Sequence, residues 1–278
     1  MVGHKNNKAI IATKYIATTL LLLVMVFPFI YLILHSFAAW DQVDRNILPT
    51  EFSLRSWTWL FGDASTAASA PWLGAFMNTI IVTTISTFLM LVFAVMVAYA
   101  LSKVNFKGKS FVNNALLFQM FFPAIILLIP QFLMITNVGL TDTYAGMIIP
   151  TMVSLWAIFM YTNFFKAVPD SFIEAAKLDG ASDMTILFKI MLPMSKSITT
   201  VVFLFMYTDR WTNLLWDMIV SKSDSTVTLN VLISQMFGPY ATYPGPMYAA
   251  SVVLTLPLII LFLIFSKKFQ EGMQYTTK

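Results

Sequence analysis

Long apolar runs alternate with short polar stretches along this chain, and the pattern predicts helices that cross a bilayer. A crossing helix takes about 20 predominantly apolar residues. The runs give six spans, at about 14–38, 76–101, 111–135, 144–165, 197–219 and 247–266. The first run is preceded by Lys5, Lys8 and Lys14, and Ser36-Phe37-Ala38 after it resembles a signal-cleavage site. Its apolar stretch, residues 15–34, outlasts the roughly 7–15 apolar residues of a signal peptide. An uncleaved anchor is expected. The fold class expected is all-α: a polytopic membrane protein with six transmembrane helices.

Charge sets the orientation. Lys103, Lys107 and Lys109 follow the second span, and Lys166, Lys177, Lys189 and Lys196 follow the fourth. With Lys5, Lys8, Lys267, Lys268 and Lys278 they fall on one side of a six-span chain. The opposite segments carry only Arg45, Arg55 and Lys222. The positive-inside rule therefore puts both termini in the cytoplasm. Composition agrees with a membrane protein: 58% of residues are hydrophobic and 11% charged, against about 25% charged in soluble domains. The chain has no cysteine, which excludes disulfides and thiolate metal sites. Its two histidines, His4 and His35, are too scattered for a metal centre. The net charge of +4 follows the membrane pattern and implies no nucleic-acid partner.

The outer segments differ in kind. Residues 40–75 hold Trp40, Trp57, Trp59 and Trp72, which suits a membrane–water interface. Residues 238–246, "GPYATYPGP", form a turn-rich aromatic loop with Gly238, Tyr240, Tyr243 and Gly245. No short-period repeat and no inverted pair of halves is evident, which weighs against a secondary transporter.

The longest stretch on the lysine-rich side, residues 170–192, carries "EAAKLDGASDMTILFKIMLP". Pro169-Asp170-Ser171 supplies turn and capping residues, and Asp179-Gly180 stops a short helix. Ser182 is placed to cap a second helix, in which Met184, Leu187, Phe188 and Met191 recur on one face. By spacing alone, this hairpin fits a loop packed on its own bundle as well as it fits a docking element.

The segment resembles the EAA loop of binding-protein-dependent ABC importer permeases, through Glu174-Ala175-Ala176, Asp179-Gly180-Ala181, Phe188, Ile190, Leu192 and Pro193. The likeness runs from about Asn78 to Gly272 and takes in "MFFPAIILLIPQFLMITNVGLTDTYAGMIIP" and "RWTNLLWDMIV". It is closest to the second membrane subunit of the maltose-type carbohydrate uptake family. That resemblance implies a type I ABC importer core (MetI-like) over residues 76–268, after an N-terminal segment of residues 1–75. It implies a bacterial or archaeal cell (inner) membrane, multi-pass. The implied partners are a second homologous permease, two cytoplasmic ATPase subunits and an extracytoplasmic sugar-binding protein, which the loop of Gly238, Tyr240, Tyr243 and Gly245 is expected to face.

In such importers the hairpin is a pair of coupling helices seated in an ATPase cleft. Glu174 would pair with a basic ATPase residue, Gly180 would make the turn, and Met184, Leu187 and Phe188 would supply apolar contact. The family often has a Gly-rich tail after its last cytoplasmic segment; here only a short tail, residues 269–278, is present.

No nucleotide site is expected in this chain. "FKGKS" at 106–110 ends like a phosphate loop, but Lys103 stands where that motif needs glycine. ATP and magnesium would be bound by the partner ATPases, with no cofactor here and no enzymatic activity of the chain's own.

Ionisable groups inside spans are costly and are often functional. The fifth span holds Asp209, Arg210, Asn213, Trp216 and Asp217. Aromatics beside hydrogen-bonding side chains suit a sugar ring, so Asp209, Arg210, Asn213 and Trp216 are candidates for the translocation pathway. The plain alternative is that they pair within the bundle. On an unbroken helix Asp217 lies about 10 Å along the axis from Arg210. Arg210 is therefore expected to face the pathway, held by water, a partner carboxylate or carbonyls. Pro123 and Pro130 are expected to bend or break the third span. A same-architecture importer of a polyol or peptide remains the alternative function. An intramembrane enzyme or an ion channel lacks the constellation either would need.

Overall fold

The computed structural model describes residues 7–61, 71–236 and 244–274. Its elements are helical, as the apolar runs predict. In order they are α1 (Asn7–Ser36), α2 (Arg55–Phe61), α3 (Trp72–Lys103), α4 (Lys109–Gln119), α5 (Ala124–Asn137), α6 (Tyr144–Ile148) and α7 (Leu155–Ala167). Then come α8 (Ser171–Leu178), α9 (Asp183–Ile186), α10 (Leu192–Met194), α11 (Lys196–Trp211), α12 (Leu215–Val220), α13 (Leu229–Met236) and α14 (Pro244–Gln274). Among the described residues three helices are long and apolar enough to cross a bilayer alone, and six spans result if each bent pair counts as one.

The expected spans are present, but the third, fourth and fifth are broken: the third as its prolines predict, the fourth bent by 42° ahead of Leu155, and the fifth where a continuous helix was expected. The third divides into α4 and α5, bent by 105° at Met120–Pro123. Pro123 precedes α5 because its fixed φ starts a helix but its missing N–H cannot continue one. Pro130, expected to break the span as well, lies inside α5. The fifth span ends at Trp211 and resumes at Leu215 as α12.

The chain forms two compact units. One combines Met1–Ala70 with Ile233–Leu256. In it α1 buries none of its apolar window against the chain, so that helix is dressed for lipid or for another subunit. The segment after α1 is ordered by polar contacts. Asp44 sits at φ 61°, where its carboxylate accepts the hydroxyls of Tyr31 at 3.0 Å and Tyr248 at 2.5 Å. Its backbone N–H donates to His35 Nδ1 at 3.2 Å. Gly245 belongs to this unit. A Cβ there would come within 2.3 Å of Ser56 Oγ and 3.1 Å of the Trp40 ring. Gly245 is thus buried at a close approach, where an outward-facing loop position was expected. Gly238, Tyr240 and Tyr243, the other members of that loop, lie outside the described residues.

The second unit, Pro71–Leu232 with Pro257–Lys278, holds the candidate site. Its core is α3 packed against α7 and α11. Ala94, Ala98 and Ala157 are fully buried there and let the helices approach closely around Tyr161, Phe165 and Val202. Tyr161 satisfies its hydroxyl on Thr199 Oγ1 at 2.9 Å. A second cluster packs Val82, Ile135, Met147, Trp216 and Val220.

Candidate functional site

The hairpin begins where α7 ends. Val168 is extended because the proline after it disfavours a helical conformation. Helix α8 then closes with a Schellman motif: Gly180 N–H donates to the Lys177 carbonyl at 3.0 Å and Ala181 N–H to the Ala176 carbonyl at 2.9 Å. Gly180 has φ 80°, which favours glycine on backbone grounds alone, since nothing crowds its Cβ position. Ser182 then caps α9 by accepting Thr185 N–H at 3.3 Å. Glu174, in the first turn of α8, is exposed and complements the helix dipole.

Two residues of α3 hold this hairpin; the sequence marks Lys103 only as one of the lysines that set orientation, and gives Tyr99 no role. Lys103, with 4% of its side chain exposed, donates 2.6 Å hydrogen bonds to the Asp170 carboxylate and to the Val168 carbonyl. Tyr99 donates to Asp183 Oδ1 at 3.0 Å. The start of each short helix is therefore tied to the same end of α3. A lysine bordering an apolar run reads as a topology signal in sequence, so its second role was invisible.

The two sides of the hairpin have opposite character. Ile173, Ala176, Ile186, Leu187 and Met191 are buried in the core with α3 and α7. Phe172, Leu178, Met184 and Phe188 are exposed, Leu178 at 89%. The stripe Met184–Leu187–Phe188–Met191 thus straddles the boundary instead of facing one way. A π-helical turn at Leu187–Met191 lies within it. Leu187, expected to supply contact to a partner, is 1% exposed and belongs to the core. Ala175, Asp179 and Gly180 are exposed, and Ala181 is half-buried.

The fifth span corrects the reading of Arg210. The guanidinium grips Asp217 bidentately, Nη1 to Oδ2 at 3.0 Å and Nη2 to Oδ1 at 2.8 Å. Both side chains are buried, at 2% and 4% exposure. Arg210 also reaches the Met147 carbonyl and Ser86 Oγ, each at 3.4 Å. The three residues between Trp211 and Leu215 make this possible, because the break folds Asp217 back beside Arg210. Trp216, expected near the pathway, is also buried and donates its indole N–H to the Met147 carbonyl at 3.2 Å. Asn213 Oδ1 accepts the Trp216 N–H at 3.3 Å and so starts α12. Asp209 behaves differently: it is exposed beside Thr208 and Thr212 and makes no ion pair among the described residues.

Residues 64–275 match the family described as "Binding-protein-dependent transport system inner membrane component". The chain belongs to this family. Like its family, it is a multi-pass inner-membrane component, and the hairpin and the ion pair both lie inside the matched region. The arabinooligosaccharides transport system permease protein AraQ of Bacillus subtilis is 29% identical over 259 residues, 91% of this chain and 90% of that protein. The lactose transport system permease protein LacG of Rhizobium radiobacter is 26% identical over 266 residues, 95% of each chain. A chain in a crystal structure of a bacterial ABC transporter involved in import of the acidic polysaccharide alginate shares the fold. The TM-score is 0.84 at 24% identity, over 97% of this chain and 99% of that one. The fold is that of a type I ABC importer permease.

The opposite end of α3 in this permease has a latch of its own. Asn78 Nδ2 donates to the carbonyls of Ser225 at 3.0 Å and Val227 at 2.9 Å, and its Oδ1 accepts the Tyr144 hydroxyl at 2.5 Å. Thr79 Oγ1 accepts Leu229 N–H at 2.9 Å. Asp142, at φ 61°, accepts the N–H groups of Lys222 at 2.8 Å and Ser223 at 3.1 Å, and the Thr226 hydroxyl in close contact. These bonds, led by that of Thr226, hold the Asp142 carboxyl well below the usual carboxylate range.

Proposed function

We propose that this chain is one of two permease subunits of an ATP-driven importer of an oligosaccharide, and that residues 170–192 are its coupling helices. One observation carries the reading: the hairpin shows Phe172, Leu178, Met184 and Phe188 outward while Lys103 and Tyr99 fasten its inner side to α3. An apolar surface on a polar loop is made for a protein partner, and fastening it to a long helix lets movement of that partner reach the membrane. The partner is a cytoplasmic ATPase, which binds the ATP and magnesium. Exposed Glu174 is available to a basic residue on it.

The orientation, with both termini cytoplasmic, rests on the lysine distribution. A second permease faces this one across the solute path, and a sugar-binding protein delivers the solute at the far side. The exposed carboxylate of Asp209, with Asn213 at the break of the fifth span, offers hydrogen bonds to a hydroxylated solute. Arg210 and Trp216 serve that path by holding the break in shape. The sugar class is supported by relatives named for arabinooligosaccharides and lactose.

The test is uptake of labelled oligosaccharides by the reconstituted importer. Gly180→Pro, Glu174→Lys and Leu178→Asp should each leave the permease in the membrane, lower co-purification with the ATPase and cut uptake at least tenfold. Normal assembly and uptake in all three would refute the coupling role.

A further inference from the structure

A groove runs along one side of α7, and no residue of the hairpin lines it. Leu155, Ile158, Phe159, Thr162, Asn163 and Lys166 line it. They recur three and four residues apart, so they form one stripe, about 16 Å long from Leu155 to Lys166. The facing wall is α4, through Asn113, Leu116, Leu117 and Met120, again at helical spacing. Leu101 of α3 closes the floor.

The groove is graded. Its far end is apolar and its near end, beside the start of the hairpin, is polar. Three lysines of the same side are engaged: Lys103 with Asp170, Lys177 with Asp183, and Lys109 with the Ser102 and Val104 carbonyls. Lys166 is exposed and makes no ion pair among the described residues. Thr162 bonds its hydroxyl to the Ile158 carbonyl of its own helix. The amides of Asn113 and Asn163 make no hydrogen bond among the described residues and flank the same end.

A cation and two amides at the mouth of an apolar channel match a particular chemistry, a phosphate diester carrying a hydrocarbon chain. With the lysine-rich side cytoplasmic, the mouth lies at headgroup level in the leaflet where anionic lipids concentrate, and basic pockets between transmembrane helices bind such headgroups. A helix of another subunit would match the apolar length but leave Lys166 and both amides unmet.

We propose that this groove seats an acyl chain of an anionic phospholipid, with the headgroup phosphate on Lys166 and the amides of Asn113 and Asn163. The site shares no residue with the hairpin, so its occupancy is measurable whether or not the coupling reading holds.

The experiment is native mass spectrometry of the intact importer, delipidated and titrated with phosphatidylglycerol or phosphatidylcholine. Phosphatidylglycerol should be retained in preference to phosphatidylcholine. Lys166→Ala should weaken its retention about fivefold, the equivalent of about 1 kcal/mol for one lysine at a headgroup. Asn163→Leu should weaken it too. Lys107→Ala, a lysine of the same side outside the groove, should leave it unchanged. Equal losses for Lys166→Ala and Lys107→Ala would mean diffuse surface attraction and overturn the proposal. Equal retention of the two lipids, or no retention because a neighbouring subunit fills the groove in the complex, would overturn it as well.

Discussion

Arg210 and Asp217 form a charge pair buried together in a span, and the value of such a pair lies in its completeness. The pair itself gives little net stability, since both charges leave water to make it. Removing one partner is different, because an uncompensated charge remains. Arg210→Leu should therefore destabilise the permease by about 3–5 kcal/mol, seen as a lower melting temperature of the purified protein and less of it in the membrane. Arg210→Leu combined with Asp217→Leu should recover most of that loss. A single variant as stable as wild type would show that Asp217 finds another partner. The same residues mark the limit of what the sequence tells. The depth of Arg210 and its need for a partner follow from its place in an apolar run. Its partner does not, because residues 212–214 contain neither glycine nor proline and nothing local announces a break. Tertiary bonds make it: Asn213 capping Trp216, and Arg210 closing on Asp217.

At the scale of elements, the hairpin was legible where its signals are local. Gly180 takes the left-handed conformation and Ser182 caps, as their residue types require. Leu187 was misassigned for the converse reason. A helical stripe shows which residues share a face, but its edge is set by whatever packs alongside. Here Leu187 falls inside that edge and Phe188 outside. The hairpin's hold on α3 rests on Lys103, whose ammonium joins Asp170 to the Val168 carbonyl. Lys103→Met keeps the aliphatic bulk and removes both bonds. It should leave Asp170 solvated and loosen α8, and, if the hairpin is the coupling element proposed above, lower uptake about tenfold with the ATPase still bound. Site-directed labelling of a cysteine at Leu178, and ATP hydrolysis that no longer responds to solute, would report the loosening. Tight coupling in that variant would remove Lys103 from the mechanism.

The latch at the Asn78 end of α3 includes a titratable group, Asp142, which holds residues 222–226 in place. Asp142 has a folded pKa below its ordinary value, so its contribution is full above the ordinary carboxylate range near pH 4. That contribution is lost as pH falls through the lower folded value. Asp142→Asn should lower the melting temperature by a few degrees, by the same amount from pH 5 to 8. The gap from wild type should narrow in acid below about pH 4, where the unfolded chain's carboxylate takes up a proton that the folded one still refuses. A gap independent of pH down to denaturation would mean that shape, not charge, makes the latch.

For the whole molecule, α3 connects what the sequence presents as unrelated motifs. Its 32 residues span about 48 Å. Lys103 and Tyr99 hold the hairpin at one end, Asn78 and Thr79 hold residues 225–229 at the other, and Ser86 touches Arg210 between them. A continuous helix is stiff along its axis, so α3 would carry a displacement of the hairpin to the Asn78 latch with little loss. This arrangement predicts energetic coupling between distant residues. Lys103→Met and Asn78→Leu lie far beyond the separation of about 7–10 Å at which mutational effects become independent. If α3 works as a strut, either change alone interrupts transmission, and the double variant should transport little worse than the poorer single one. Uptake rates of the two single variants and the double, in the assembled importer at saturating ATP, close the cycle. Multiplicative losses in the double variant would show that the two ends of α3 act independently and that movement reaches the Asn78 end by another helix.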